Sequence, residues 1–239
     1  MVLLALVLYW QLILAEGAYL GPRLVALLYD WTAPRYNRIK DFDPLMEAHT
    51  LGLPLANRVQ GQPDALVLDV AVGTGRLPLA LLQQPAFQGR VIGLDRASKM
   101  LAIARRDLAA HGRRVLLLQA DAMALPFADN TFYAVTCLEA LEFTPDPRRG
   151  LGELVRVLRP ADAASPRAGW LLFTNRIGWE ARFMPGKTWT AARLAGILSQ
   201  LPLANVQILP WQTIYDLVWA QKVLRPSEQP ADNLQAGED

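Results

Sequence analysis

A chain of 239 residues with 52% apolar side chains can bury one good-sized α/β core and still have hydrophobic material left over. Its formal charge of +2, from 24 basic and 22 acidic side chains, excludes the broad positive face that a nucleic-acid binder builds. The single cysteine excludes an internal disulfide. The two histidines, His49 and His111, lie far apart without cysteine partners, so no metal site is expected.

In chain order, the first element is the apolar run VLLALVLYWQLILAEGAYL at 2–20, where Gln11 and Glu16 are the strongly polar side chains before Gly21-Pro22 stops it. Read as one helix, the run would rise roughly 28 Å, close to the bilayer core. It lacks the basic start of a secretory signal. Arg23, Arg35, Arg38 and Lys40 follow it, with Tyr19, Tyr29 and Trp31 among them, and the positive-inside tendency then leaves the rest of the chain cytoplasmic. Residues 1–22 are therefore expected to form a hydrophobic helix that anchors the chain to the cytoplasmic face of a membrane, by spanning it or lying in its interface. Gln11 at mid-run and the Tyr9-Trp10 pair count against a clean span. Packing of this helix on the domain or on a partner is the alternative. Residues 23–64 are expected to form a helical lid region.

From about residue 65 the texture changes. ALVLDV (65–70), RVIGLD (90–95), RVLLLQA (114–120), FYAVTCL (132–138) and GWLLFTN (169–175) read as short buried strands. Helical stretches at 76–84, 97–111 and 147–158 separate them. Continuous apolar strands alternating with helices predict a doubly wound, mostly parallel sheet covered on both faces. Residues 159–169 read as a loop from their Pro, Ala and Ser content. A helix near 188–200 and strands near 204–212 and 214–222 complete a domain over 65–225. The tail from Pro226 is polar and aperiodic, so 226–239 is expected to be disordered.

The chemistry concentrates at the strand ends. In LDVAVGTGRLPLAL (68–81) the first strand ends on Asp69, and Gly73-Thr74-Gly75 follow with two residues free of Cβ. The helix starting near Arg76 points unpaired backbone N–H groups at whatever binds there. Asp95 ends the second strand, twenty residues beyond Gly75, where a carboxylate accepts both hydroxyls of a ribose. Asp121 ends the third strand within reach of a base edge. A nicotinamide dehydrogenase shares this layout, but its fingerprint wants a third glycine where the chain has Pro78, and Asp69 would repel a pyrophosphate. The missing Gly-Lys-Ser/Thr excludes a P-loop. S-adenosylmethionine, with an ammonium, a sulfonium and a ribose-adenine, answers all three acids.

VLDVAVGTGRLPLAL, VIGLDRASKMLAIARRD, QADAMALPFADNTFYAVTCLEAL and PDPRRGLGELVRVLRP together resemble the successive motifs of class I S-adenosylmethionine-dependent methyltransferases, nearest the quinone and small-molecule branch. The resemblance covers about 65–175. It implies a Rossmann-like methyltransferase fold with an antiparallel final strand. It also implies that Asp69, Gly73 and Gly75 flank the amino-acid end of the cofactor, that Asp95 meets the ribose, and that Asp121, Ala122 and Met123 surround the adenine. Ala71, Thr74, Arg96 and Leu138 are the further cofactor-binding candidates. The chain departs from the pattern at Ala71, which replaces the first loop glycine. It departs again in the longer loop that replaces a glycine pair after Pro160, and in LEALEFTPDP, which lacks the histidine that relatives carry before the PDP turn.

Transfer of an activated methyl is an in-line displacement, which needs alignment and desolvation more than covalent catalysis. The candidate catalytic residues are Glu139, Glu142 and Tyr36. Tyr29 and Tyr36 in YDWTAPRYN resemble the tyrosine-bearing stretch that lids the cofactor in related lipid and quinone enzymes. DNA amino-methylation is disfavoured, because Leu138-Glu139-Ala140 stands where its Asp/Asn-Pro-Pro-aromatic motif belongs. The expected acceptor is a small molecule: a lipophilic one such as a quinone precursor or a lipid, with a cytosolic small molecule as the alternative. The competing readings are a membrane-tethered nucleotide-binding module without catalysis and an NAD-dependent oxidoreductase.

Overall fold

The computed structural model describes residues 2–40, 42–161 and 168–224. Positions 162–167 of the expected loop, and the expected disordered tail from Pro226, lie outside the described residues. The chain begins with α1 (Val2–Tyr9), which runs into a π-helical turn over Trp10–Leu14. Then come α2 (Pro22–Thr32), α3 (Tyr36–Ile39), α4 (Pro44–Glu47) and α5 (Leu53–Val59). The alternating part comprises β1 (Leu66–Val70), α6 (Arg76–Leu82), β2 (Arg90–Asp95), α7 (Ser98–Asp107), β3 (Val115–Gln119), β4 (Ala134–Cys137), α8 (Pro147–Val157) and β5 (Trp170–Arg176). It closes with α9 (Gly178–Ala181), α10 (Ala191–Leu198), β6 (Leu203–Trp211) and β7 (Tyr215–Lys222).

Among the described residues the strands form one seven-stranded sheet in the order β3-β2-β1-β4-β5-β7-β6. The first five pair in parallel, and β7 runs antiparallel to both β5 and β6, as expected for the final strand. The order reverses between β1 and β4, which is the switch point where a doubly wound sheet opens a crevice. Both faces are covered, which is why the central strands are apolar without alternation. On β1, Leu68 and Val70 pack with Leu151, Leu154 and Leu194, while Val67 packs on the other face with Leu55, Leu81 and Leu108. The PDP turn has a structural reason: the Asp146 carboxylate accepts from the Arg148 and Arg149 amides, with Pro147 behind it in the first turn, so the segment is a helix N-cap.

Two expectations need correction. The apolar run predicts a buried β3, but the strand lies at the sheet edge and leaves Leu116 exposed. The run 2–20 is not one helix, and no helix among the described residues is long and apolar enough to cross a membrane. The helical part, 2–14, ends where Glu16 and Gly17 take left-handed backbone, φ 46° and 81°, and the chain folds back. Gln11 explains the break. With its amide turned so that the oxygen faces the returning chain, it accepts from the Tyr19 and Leu20 amides at 3.1 and 3.2 Å. The polar residue that counted against a clean span is the one that fastens the reversal.

Candidate active site

The crevice at the carboxyl ends of β1, β2 and β4 holds two adjoining cavities. The larger is partly open to solvent and is walled by Gly73, Asp95, Asp121, Met123, Leu138 and Phe143. The smaller adjoins it along Ala71, Gly73, Leu138 and Glu139, and reaches Asp69 and Thr74. Together they form one elongated site with a carboxylate at each end.

The loop after β1 is held from both sides. The Asp69 carboxylate is buried beneath it and accepts from the Thr136 hydroxyl at 2.6 Å. Burial pushes this carboxyl up to about 7, although the Thr136 bond pulls the other way. The Asp95 carboxylate accepts from the Gly73 amide and the Ala97 amide, both at 2.8 Å, so it orders the glycine loop as well as facing the cavity. Asp121 accepts from the Met123 amide at 3.0 Å and pairs with Arg96 at 2.9 Å. Ala71, the departure from the glycine pattern, stands at φ 59°. The backbone there keeps the left-handed turn even though it carries a Cβ, at a local cost of about 1–2 kcal/mol.

The two loop glycines do different things. A Cβ on Gly73 would meet nothing within 4 Å, because that side is the open cavity. A Cβ on Gly75 would lie 2.8 Å from Leu108 Cδ1 and 3.3 Å from Ala104 Cβ. Gly75 therefore seats the loop on α7 and lines neither of these two cavities. Glu142 is also set apart from the cavities. It lines neither cavity and is buried with its carboxylate on the Tyr215 hydroxyl at 2.8 Å.

Residues 22–40 and 42–47 roof the site. Tyr29, on α2, meets Phe143 and Tyr36 edge-on, at centroid distances of 5.9 and 6.0 Å. Asp30 reaches across to cap α7, accepting from the Lys99 amide at 2.7 Å. The Thr74 hydroxyl donates to the Asn37 side-chain oxygen at 2.6 Å. Lys40 pairs with Glu139 at 2.9 Å, and Arg76 bridges Glu139 and Glu47 at 3.0 and 2.8 Å while lying over the Phe42 ring. Burial pushes the Glu139 carboxyl up, but Arg76 and Lys40 outweigh it and hold the group below its usual value. It stays ionised across the neutral range. Tyr36 borders both cavities, and burial raises its phenol, which keeps it a donor. Cys137 also lines the larger cavity; it is buried and its thiol is pushed well up by burial.

The structure therefore brings Ala71, Gly73, Asp95, Arg96, Asp121, Ala122, Met123, Leu138, Glu139 and Tyr36 to the larger cavity, with Asp69 and Thr74 in the smaller one. Sequence reasoning did not single out Met100, Phe143, Lys40 or the Arg76 bridge. Their only signal is tertiary, since the partners lie 63 and 99 positions apart.

Residues 67–161 match the family model of a methyltransferase domain. A demethylmenaquinone methyltransferase of Thermus thermophilus is 41% identical over 136 residues, 56% of this chain and 60% of the relative. A 2-phytyl-1,4-naphtoquinone methyltransferase of Thermosynechococcus vestitus is 34% identical over 141 residues, 59% of this chain and 62% of the relative. The chain thus spans less than two thirds of these relatives' length. Among solved structures, the [4+2]-cyclase SpnF superposes with a TM-score of 0.68 at 18% identity, covering 86% of this chain and 98% of that one. An Aquifex aeolicus SAM-dependent methyltransferase gives 0.53 at 20% identity, covering 76% and 100%. At these identities the structures speak for the fold alone. The matched segment is thus similar to a methyltransferase domain, the curated relatives it resembles over about half its length act on quinones by their names, and the solved structures share its fold.

Proposed function

We propose that the chain binds S-adenosylmethionine and transfers its methyl group to a quinone-type ring carrying a lipophilic tail. The observation that carries this reading is the two-ended cavity at the switch point: Asp95 and Asp121 at one end, buried Asp69 beneath the other, and an aromatic roof between them. The acids suit the ribose, base and ammonium of the cofactor, and the remaining lone pairs of the Asp95 oxygens are free to take ribose hydroxyls. Gly73 leaves room for the ligand beside the backbone. Tyr29, Tyr36 and Phe143 offer a flat acceptor an apolar, desolvated berth.

When bound, the cofactor supplies the electrophilic methyl. The protein's part is alignment and exclusion of water. Tyr36 is suited to donate to an acceptor oxygen, while Glu139, held ionised between Arg76 and Lys40, is suited to fix the wall of the site and is a weak proton acceptor. Glu142, on Tyr215, is too far inside to meet the acceptor. A nicotinamide dinucleotide is disfavoured by Pro78, buried in the first turn of α6 where the fingerprint has glycine, and by Asp69 under the loop.

The test is calorimetric titration of the full chain with S-adenosylmethionine and NAD, followed by incubation with a methyl-labelled cofactor and a tailed naphthoquinone lacking the ring methyl, reduced beforehand to its hydroquinone so that the ring carbon is nucleophilic and only a proton is lost. Label carried into the organic phase is the expected result. NAD bound with S-adenosylmethionine ignored would overturn the reading, as would cofactor binding without transfer to any quinone.

A further inference from the structure

We propose that α1 is a docking peg that enters one leaflet of an anionic lipid surface, and that the fold-back behind it holds the wall of the active-site cavity close to that surface. The inference rests on the tailed-quinone reading for its purpose, but its evidence is separate. Leu3, Leu4, Leu6, Val7, Leu8 and Tyr9 are all exposed, by 49–75%. At 100° per residue these positions point around the whole circumference of the helix. A groove on another protein, or a second copy of this chain, covers one stripe of a helix and leaves the opposite side polar. A helix apolar on every side suits hydrocarbon, which solvates all of them.

Length and charge agree. The eight residues of α1 rise about 12 Å, far short of the ~30 Å needed to span but near the ~5–10 Å depth of the headgroup and acyl boundary. Arg23, Arg35 and Arg38 are exposed and enter no ion pair among the described residues. The outward stripe of α2, Leu24, Leu27 and Trp31, is exposed on the face opposite Tyr29, with Trp31 at 77%. Exposed arginines beside aromatic and aliphatic side chains are the chemistry that recognises an anionic interface.

The root of the peg is built into the site. The Trp10 indole donates to the Phe183 carbonyl at 2.9 Å, and the Tyr19 hydroxyl to that of Pro185 at 2.7 Å. Glu16 pairs with buried Arg176. Ala15 and Ala18 pack with Met184 and with Phe143, which lines the cavity. Lys187 donates to the carbonyls of Thr144 and Pro145, also on the cavity wall. A bilayer that takes α1 therefore lies beside the wall through which a tailed acceptor would enter.

The test is flotation of the full chain at low salt with vesicles of mixed phosphatidylglycerol and phosphatidylcholine, and with phosphatidylcholine alone. The wild type is expected to float with the anionic vesicles and more weakly with the neutral ones. The Leu4→Asp/Leu8→Asp variant should lose more than about a hundredfold in partition while keeping its S-adenosylmethionine affinity, which shows that it is folded. Arg35→Glu/Arg38→Glu should remove only the anionic preference. The proposal fails if the wild type floats with neither vesicle, or if the double aspartate variant floats as the wild type does. It fails equally if light scattering shows a wild-type dimer that the aspartates split and no vesicle binding. Vesicle binding without methyl transfer overturns the proposed reaction and leaves the docking intact. Methylation of a short-tailed soluble quinone without vesicle binding does the reverse.

Discussion

At the scale of the residue, Asp69 carries a measurable signature. Its carboxyl, at about 7 in the fold, sits above its ordinary 3.8, so folding takes up a proton between those values. Its contribution favours the fold fully below about pH 4 and is lost as pH rises through about 7. Asp69→Asn has no charge to bury, and its carbonyl can still accept from Thr136. Denaturant titrations should show the variant matching wild type near pH 4 and exceeding it by a few kcal/mol above pH 8. Equal pH slopes for the two would show that Asp69 is already solvated. The loop glycines give a second residue-scale contrast. Gly73→Ala should cost about 1 kcal/mol of stability from its positive φ, while its methyl, placed in the cavity, removes most cofactor binding. Gly75→Ala should cost more stability, about 2–3 kcal/mol, because its methyl overlaps Leu108, while the folded fraction still binds. Sequence alone shows two equivalent glycines. Their difference depends on Leu108, which another helix delivers.

Between elements, the Asp30 cap joins roof to domain. The N-cap residue of α7 is Ala97, which has no side-chain acceptor, so Asp30 of α2 supplies one to the Lys99 amide, 69 positions along the chain. Asp30→Ala should lower stability by about 1 kcal/mol, and Asp30→Asn should restore most of it, since both side chains cap well. Thermal melts of the two variants check this; identical losses would remove the cap as the cause. The strands were legible because burial on both faces leaves an uninterrupted apolar code, and their observed limits fall within two residues of the runs read from sequence. The acids that end the first two strands were legible for the same reason. The fold-back of 15–20, the cap from Asp30 and the edge position of β3 were not. Each is decided by a partner remote in sequence, and local periodicity does not register it.

Across the whole molecule, the amino-terminal segment divides into a part that packs and a part that projects. Removing residues 2–20 takes Glu16 from Arg176, which is 3% exposed, and uncovers Met184 and Phe143. A truncation to 23–239 should therefore melt several degrees below the full chain, at roughly 2–4 °C per kcal/mol for a protein of this size. The Leu4→Asp/Leu8→Asp variant should melt with the wild type. Differential scanning calorimetry separates these, and a truncation as stable as the full chain would mean that the fold-back contributes nothing.

Cys137 gives the molecule a chemical clock. It is the sole thiol in the sequence, it is buried, and it borders the cavity. A thiol reagent can reach it only when the structure opens, so its labelling rate under native conditions reports how often that happens. Saturating the site should slow the clock in a predictable way: ligand at a hundred times its Kd stabilises the closed form by about 2.7 kcal/mol, or roughly a hundredfold in labelling rate. Mass spectrometry of the intact chain over a labelling time course would read that rate without a mutation or an attached probe. A rate indifferent to S-adenosylmethionine would mean that openings reaching Cys137 leave the ligand in place.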